Sequence, residues 1–155
     1  MEIRIAGVVP ESIVDGEGIR YAIFMQGCLR RCEGCHNPAT HSLDGGRIFD
    51  TDELIAAIKR NPLLAGITLT GGEPLLQVDA AIELAKATKN LGLNVWCYTG
   101  YTFEKIPPFA KELLKFVDVL VDGPFILEQR NLELDFRGST NQRIIDLNEW
   151  RQSNG

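Results

Sequence analysis

One stretch indicates both the fold and the chemistry of this chain: Gln26-Gly27-Cys28-Leu29-Arg30-Arg31-Cys32-Glu33-Gly34-Cys35-His36-Asn37. Three of the four cysteines of the chain lie in it, with the spacing C-x3-C-x2-C. A loop this short can place three thiolates around one metal ion or one metal–sulfur cluster. Closed structural metal sites usually have four ligands, so a site with three cysteines leaves one position open for chemistry.

The same spacing also allows a zinc site, in which His36 or Cys97 would be the fourth ligand. His36 directly follows Cys35, and adjacent residues seldom point at one metal, so we interpret His36 as a loop or pocket residue. Cys97 lies in an apolar strand pattern, where a lone cysteine is usually a small buried side chain. The spacing favours a cluster over zinc, but by itself it leaves both interpretations open.

The composition narrows the class of protein. A length of 155 residues with 45% hydrophobic content predicts a single domain, 1–155, with a substantial core. The formal net charge of −5 gives no support for a nucleic-acid partner. No stretch is apolar for long enough to predict a membrane span. Clustered cysteines without a secretory signal predict reduced thiols and a cytoplasmic protein.

Strands and helices are predicted to alternate along the chain. After an extended lead-in, strands are expected at 19–25, 66–70, 93–98, 117–122 and 143–147, helices at 51–60, 78–91 and 107–116, and a fraying polar tail from Glu149. This alternation predicts βαβ units and an α/β fold with mainly parallel strands. A closed eight-unit barrel needs about 250 residues, so we expect an open partial (β/α) barrel, shorter than a full TIM barrel.

Several of the predicted strands end in glycine or polar residues. The cysteine stretch follows one strand, Gly71-Gly72-Glu73-Pro74 follows the next, and Asp122-Gly123-Pro124 follows another. In parallel α/β folds, binding sites are assembled at the carboxyl ends of the strands. The exposed backbone of the two glycines suits a small zwitterionic ligand, with Glu73 holding the turn or meeting an ammonium group. A plain strand-to-helix turn is the alternative.

These motifs together resemble the radical S-adenosylmethionine superfamily, whose members carry C-x3-C-x2-C for a [4Fe–4S] cluster and a later Gly-Gly-Glu strand end. Within it, the chain is similar to the glycyl-radical-enzyme activases, and in particular to the branch that activates anaerobic ribonucleoside-triphosphate reductase. The segments that carry this similarity are Val14-Asp15-Gly16-Glu17-Gly18-Ile19-Arg20, Gln26-Gly27-Cys28, Cys35-His36-Asn37, Tyr98-Thr99-Gly100-Tyr101, Val119-Leu120-Val121-Asp122-Gly123-Pro124-Phe125 and Arg137-Gly138-Ser139-Thr140-Asn141-Gln142.

Two positions depart from the common patterns. Many superfamily members have an aromatic residue before the third cysteine, where this chain has Gly34, as the reductase-activating branch tends to. Glu17 stands where the activases commonly have proline in an Asp-Gly-x-Gly loop.

The resemblance implies a mechanism and its cofactors. Cys28, Cys32 and Cys35 would hold a [4Fe–4S] cluster whose fourth iron is open to S-adenosylmethionine. One electron, from a low-potential donor such as flavodoxin or ferredoxin, would split off methionine and a 5′-deoxyadenosyl radical. That radical would take a hydrogen atom from a glycine in the glycyl radical loop of the partner reductase. The protein would contribute positioning and exclusion of water.

The resemblance also implies the remaining site residues. Thr70, Gly71, Gly72 and Glu73 would seat the methionine end, Gly34, Cys35 and His36 would flank the adenosine, and Asp122 would face the same pocket. We expect Asp15 to steady the glycine loop of the partner, and a plain turn aspartate is an equal alternative. Two other functions remain open: an activase of another glycyl radical enzyme, of the pyruvate formate-lyase type, or a non-catalytic zinc-binding interaction module.

Single cysteine substitutions test the cluster assignment. Alanine at Cys28, Cys32 or Cys35 should abolish S-adenosylmethionine cleavage, because two thiolates do not retain the cluster in its active form. Cys97→Ala should leave cleavage largely intact. The measurements are iron content and 5′-deoxyadenosine yield after anaerobic reconstitution. Loss of the cluster in the Cys97 variant would contradict the assignment of that residue to the core.

Overall fold

The computed structural model describes residues 1–27, 42–43 and 45–154. Within them, seven strands form one mixed sheet. The strands are β1 (Glu2–Ser12), β2 (Arg20–Met25), β3 (Arg47–Asp50), β4 (Gly66–Gly71), β5 (Asn94–Tyr98), β6 (Val119–Asp122) and β7 (Arg143–Asp146). The helices are α1 (Thr51–Arg60), α2 (Val78–Asn90), α3 (Lys111–Leu114) and α4 (Leu147–Asn154).

The order of the strands across the sheet is β3-β1-β2-β4-β5-β6-β7. The four central strands, from β2 to β6, are parallel to one another. β1 runs antiparallel to β2, β3 antiparallel to β1, and β7 antiparallel to β6. The expected α/β class with a parallel centre is confirmed. The whole sheet is mixed, and its description as an open partial barrel stays a prediction.

The helices and one face of the sheet share a single hydrophobic cluster. Strand alternation directs Ile23, Leu69 and Leu120 towards this side, where they are fully buried together with apolar residues of all four helices. Cys97 lies in the same cluster and is fully buried, which confirms its assignment to the core. Burial raises the pKa of its thiol.

The helices predicted at 51–60 and 78–91 are confirmed as α1 and α2, and local residues set one end of each. Asp50 caps α1, because its side chain accepts a hydrogen bond from the backbone N–H of Asp52 at 2.9 Å. Gly92 follows the end of α2 with φ of +79°, a conformation that glycine adopts without strain. In the part of the chain that is described, no helix combines the length and the apolar character that crossing a membrane requires.

The expectation of a fraying tail after Glu149 is wrong, because α4 forms there. Its start is held by Asp146, whose carboxylate accepts a hydrogen bond from the N–H of Glu149 at 3.0 Å. Leu147 is buried, and the guanidinium of Arg151 donates to the carbonyl of Leu114 at 2.9 Å. These contacts are with distant parts of the chain, so the polar local sequence does not reveal them.

Two further elements differ from the expectation. The helix predicted over 107–116 is a 3-10 turn, Pro108–Ala110, followed by the single turn of α3, and the next backbone bonds span three residues instead of four. β3 was not expected, because four residues are too short to show a strand period. It forms by pairing with β1.

Candidate functional site

A cavity of about 610 Å³ opens on the face of the sheet opposite the core cluster. Phe24, Thr70 and Tyr98 line it, as expected from strand alternation, because their neighbours in sequence point into the core. Its volume lies in the range of about 300–1,000 Å³ that is typical of small-molecule sites. Strand ends form one side: Gly71–Glu73, Thr99–Gly100 and Gly123–Phe125.

The end of β4 is bound to the end of β2 through the backbone. Gly71 has φ of +96°, and a Cβ atom there would lie 2.5 Å from the backbone nitrogen of Met25. This close approach lets the N–H of Gly72 donate to the carbonyl of Met25 at 2.8 Å. The N–H of Glu73 donates to the carbonyl of Gly27 at 2.7 Å. Since Cys28 follows Gly27, the Gly-Gly-Glu segment is fixed next to the start of the cysteine stretch.

The carboxylate of Glu73 joins the ends of β4 and β5. The side chain is only 3% exposed. One oxygen accepts hydrogen bonds from the N–H of Leu75 at 3.2 Å and the hydroxyl of Thr99 at 2.9 Å, and the other accepts one from the N–H of Gly100 at 2.7 Å. This is the turn-holding role that the sequence allowed. Gly71 and Gly72, just before Glu73, line the cavity.

Asp15 lines the same cavity from the loop between β1 and β2. The hydroxyl of Ser12 donates to its carboxylate at 2.5 Å. Its carbonyl accepts a hydrogen bond from the hydroxyl of Thr68 at 2.6 Å. The loop that carries Asp15 is therefore bonded both to its own start and to β4.

The buried guanidinium of Arg20 links this loop to β4 by hydrogen bonds. Arg20 is fully buried and donates to the Thr68 hydroxyl at 2.8 Å and to the carbonyls of Glu17 and Ile67 at 2.9 and 2.7 Å. It also lies 5.5 Å from the ring centroid of Trp96. Burial lowers the pKa of Arg20 to about 10, so the group stays charged at neutral pH. The Asp-Gly-x-Gly loop thus contacts a buried charged side chain that is held by several hydrogen bonds.

Asp122 is not brought to the cavity. The register of β6 against β5 pairs Val121 with Tyr98, so the side chain of Asp122 points to the opposite face. There it is 1% exposed and accepts hydrogen bonds from the N–H of Phe103 at 2.8 Å and from the guanidinium of Arg143. Its neighbours Gly123 and Pro124 line the cavity instead.

The far wall of the cavity involves Phe136, which the sequence did not single out. The hydroxyl of Tyr98 donates to the carbonyl of Phe136 at 2.5 Å. Phe136 has φ of +62°, and its ring meets Trp96 edge-on at 5.4 Å between centroids. Burial and the nearby charge of Asp15 raise the pKa of the Tyr98 phenol, which stays protonated and able to donate. The spacing of Trp96 and Tyr98, which puts both on one face of β5, was the available sequence signal, but Phe136 lies 38 residues beyond Tyr98 in the chain.

The predictions for Cys28, Cys32, Cys35, Gly34 and His36 fall outside the described residues. The described residues on either side of the stretch are bonded to each other, because the side-chain amide of Gln26 donates to the carbonyl of Ser42 at 2.7 Å. The described residues that flank this stretch therefore lie together beside the end of β2. Of the other predicted residues, Thr70, Gly71, Gly72, Glu73 and Asp15 line one cavity, and Asp122 does not.

Comparison with known proteins gives a consistent result. The family model for a 4Fe-4S single cluster domain matches residues 14–145. The anaerobic ribonucleoside-triphosphate reductase-activating protein of Vibrio cholerae is 36% identical in an alignment of 143 positions that covers 87% of this chain and 92% of that protein. The protein of the same name from Enterobacteria phage T4 is 34% identical in an alignment of 157 positions that covers 96% of this chain and 94% of that protein.

The fold is similar to that of a solved structure. QueE from Escherichia coli superposes with a TM-score of 0.52 and 20% sequence identity. The match covers 66% of this chain and 54% of QueE, so it spans about half the length of that protein. At this identity the likeness concerns the fold alone.

Two glycines with positive φ provide a matched test of the strand end. At Gly92 an added Cβ meets open space, so Gly92→Ala should cost only the backbone strain, about 1 kcal/mol. At Gly71 the Cβ would also collide with the backbone of Met25, so Gly71→Ala should cost about 3 kcal/mol or more. The expected falls in melting temperature of the reconstituted protein are about 2–4 °C and about 6–12 °C. Equal falls would show that the contact of Gly71 with β2 does not matter.

Proposed function

This chain belongs to the family of anaerobic ribonucleoside-triphosphate reductase-activating proteins, and we propose that it activates such a reductase by forming a glycyl radical on it. The family is shown by relatives that match nearly the whole chain at 34–36% identity. The structural observation that carries the proposal is the backbone link from Gly72 and Glu73 to Met25 and Gly27. It fixes the start of the cysteine stretch against the edge of the cavity.

The cofactors of this proposal are an iron–sulfur cluster and S-adenosylmethionine. We assign Cys28, Cys32 and Cys35 as the three ligands of a [4Fe–4S] cluster, with one iron open to the methionine end of the cofactor. When bound and reduced, the cluster supplies the electron that splits S-adenosylmethionine into methionine and a 5′-deoxyadenosyl radical. A match to a 4Fe-4S single cluster domain over residues 14–145 supports this assignment.

The described lining of the cavity fits a molecule with a zwitterionic end and a flat nucleoside end. Thr70 and the peptide groups of Gly71 and Gly72 line the side next to the cysteine stretch. Phe24, which is paired with Thr70 across β2 and β4, and Phe125 after the end of β6 add aromatic rings to the lining. Peptide groups at strand ends suit the ammonium and carboxylate of the methionine moiety, and apolar surfaces suit the sugar and base. We propose that Gly34, Cys35 and His36 complete the adenosine side.

Glu73 and Asp122 have supporting roles in this proposal. Glu73 orients the peptide groups of the glycines, since its carboxylate holds Leu75, Thr99 and Gly100 in place. Asp122 lies on the face of the sheet opposite the cavity, where its carboxylate accepts hydrogen bonds from the N–H groups of Phe103 and Arg143. In this way it fixes the position of the next residue, Gly123, at the cavity edge. Neither side chain has to bind the cofactor directly to affect its seat.

We propose that Asp15 acts on the partner. Its carboxylate lines the cavity and its loop is bonded to Thr68 and Ser12, so it can present an acceptor without reorganisation. We propose that it accepts a hydrogen bond from the backbone beside the reacting glycine. The sheet and the wall around Phe136 would keep water from the radical.

The remaining parts of the proposal concern the setting of the reaction. Residues 1–155 would act as one radical S-adenosylmethionine domain with the curvature of an open partial barrel. A low-potential donor such as flavodoxin or ferredoxin would supply the electron in the cytoplasm. The partner would be the glycyl radical loop of the reductase.

Electron paramagnetic resonance tests the proposed function. The reconstituted protein is incubated anaerobically with S-adenosylmethionine, dithionite and either the anaerobic reductase or a pyruvate formate-lyase-type enzyme. We expect a reducible [4Fe–4S] signal and a glycyl radical on the reductase only. A radical on the other enzyme and never on the reductase would reject the choice of partner. One tightly bound zinc without a reducible cluster would reject the enzymatic function.

A further inference from the structure

Exposed apolar side chains border the mouth of the cavity on two sides. On one side, Val14 is 71% exposed beside Asp15. On the other side, Leu132 is 80% exposed. Single exposed aliphatic side chains are ordinary on a protein surface, whereas apolar side chains grouped around a site are typical of a contact with another protein. Val14 and Leu132 line the same cavity. We call Ile13–Val14 the first lip and residues 131–134 the second lip.

The second lip is held in place by its own hydrogen bonds. Arg130 and Ser139 form an antiparallel bridge. The N–H of Asn131 donates to the carbonyl of Gly138 at 3.2 Å, and the N–H of Glu133 donates to the side chain of Asn131 at 2.9 Å. Below the lip, the bond between Tyr98 and the carbonyl of Phe136 fastens the segment to the sheet. Leu132 is therefore presented on a preformed turn.

The first lip is fixed in a similar way. The N–H of Val14 donates to the hydroxyl of Ser12 at 3.4 Å, and that hydroxyl donates to the carboxylate of Asp15. The carbonyl of Asp15 is bonded to Thr68 in β4. Both lips thus keep apolar groups in solvent on backbone that is held by hydrogen bonds, which lowers the entropy lost when a partner binds.

We infer that the two lips form an apolar clamp for the polypeptide segment of the reductase that carries the reacting glycine. The inference rests on the proposed function. A radical formed in the cavity reacts with a glycine only if that glycine enters the mouth, so the segment on either side of it must pass between Val14 and Leu132. The segment that fits is extended, with apolar side chains flanking the glycine. The lips then select the partner, and Asp15 beside the first lip orients its backbone.

Serine substitutions at the lips test the clamp on the full-length proteins. Val14→Ser and Leu132→Ser should each weaken binding of the reductase about tenfold, because each removes an aliphatic group that is buried on docking. The double variant should bind about a hundredfold more weakly, since the lips lie on separate segments. Surface plasmon resonance under anaerobic conditions measures the affinity, and paramagnetic resonance measures the radical formed. Cleavage of S-adenosylmethionine without the reductase should be unchanged.

Leu63→Ser is the matched control, because Leu63 is 63% exposed and does not line the cavity. It should leave both binding and radical formation unchanged, and Leu132→Met should bind as the wild type does. The clamp is overturned if the serine variants bind the reductase as tightly as the wild type, or if they lose partner-independent cleavage. A wild-type protein that forms no radical on the reductase rejects the proposed function itself. A radical formed equally well by wild type and variants rejects the clamp alone.

Discussion

The site depends on the backbone conformation at the end of β4, where the chain contacts β2. Gly71 adopts a positive φ in close contact with β2, and this allows the next two N–H groups to bond to Met25 and Gly27. Each such bond has a net value of only about 0.5–1.5 kcal/mol, but together they join two strand ends. The buried carboxylate of Glu73 extends the link to a third strand. The rim of the cavity is thus fixed by Gly71, by the N–H groups of Gly72 and Glu73, and by the carboxylate of Glu73.

On the side of the cavity that carries Asp15, the structure is held by the buried guanidinium of Arg20. Arg20 is buried under the Asp15 loop and shares its donors between a hydroxyl and backbone carbonyls, so the cost of burying it is offset by hydrogen bonds. The loop that presents Asp15 and the first lip is therefore rigid, although its sequence contains two glycines. One rim leads into the cysteine stretch, and the opposite one carries Asp15. The reacting glycine would meet the cofactor between them.

The sequence predicted the parts of this structure that depend on local patterns. The central strands, α1, α2 and the burial of Cys97 follow from apolar periodicity and end signals, and the strand-end glycines pointed to the cavity. Elements that depend on distant contacts were not predictable in this way. β3 exists by pairing with β1, and α4 is held by Leu147 and Arg151 against other segments. Asp122 was placed on the cavity from its position in a motif, whereas the register of β6 turns it away.

An anaerobic crystal structure of the reconstituted protein with S-adenosylmethionine is the most direct test of the central claim, which is that the ends of β2 and β4 form one cofactor site. The account predicts a [4Fe–4S] cluster bound by Cys28, Cys32 and Cys35 beside Gly72. It also predicts the methionine end of the cofactor against Thr70, Gly71 and Gly72. A cysteine stretch closed around zinc, or S-adenosylmethionine bound away from this strand end, would contradict it.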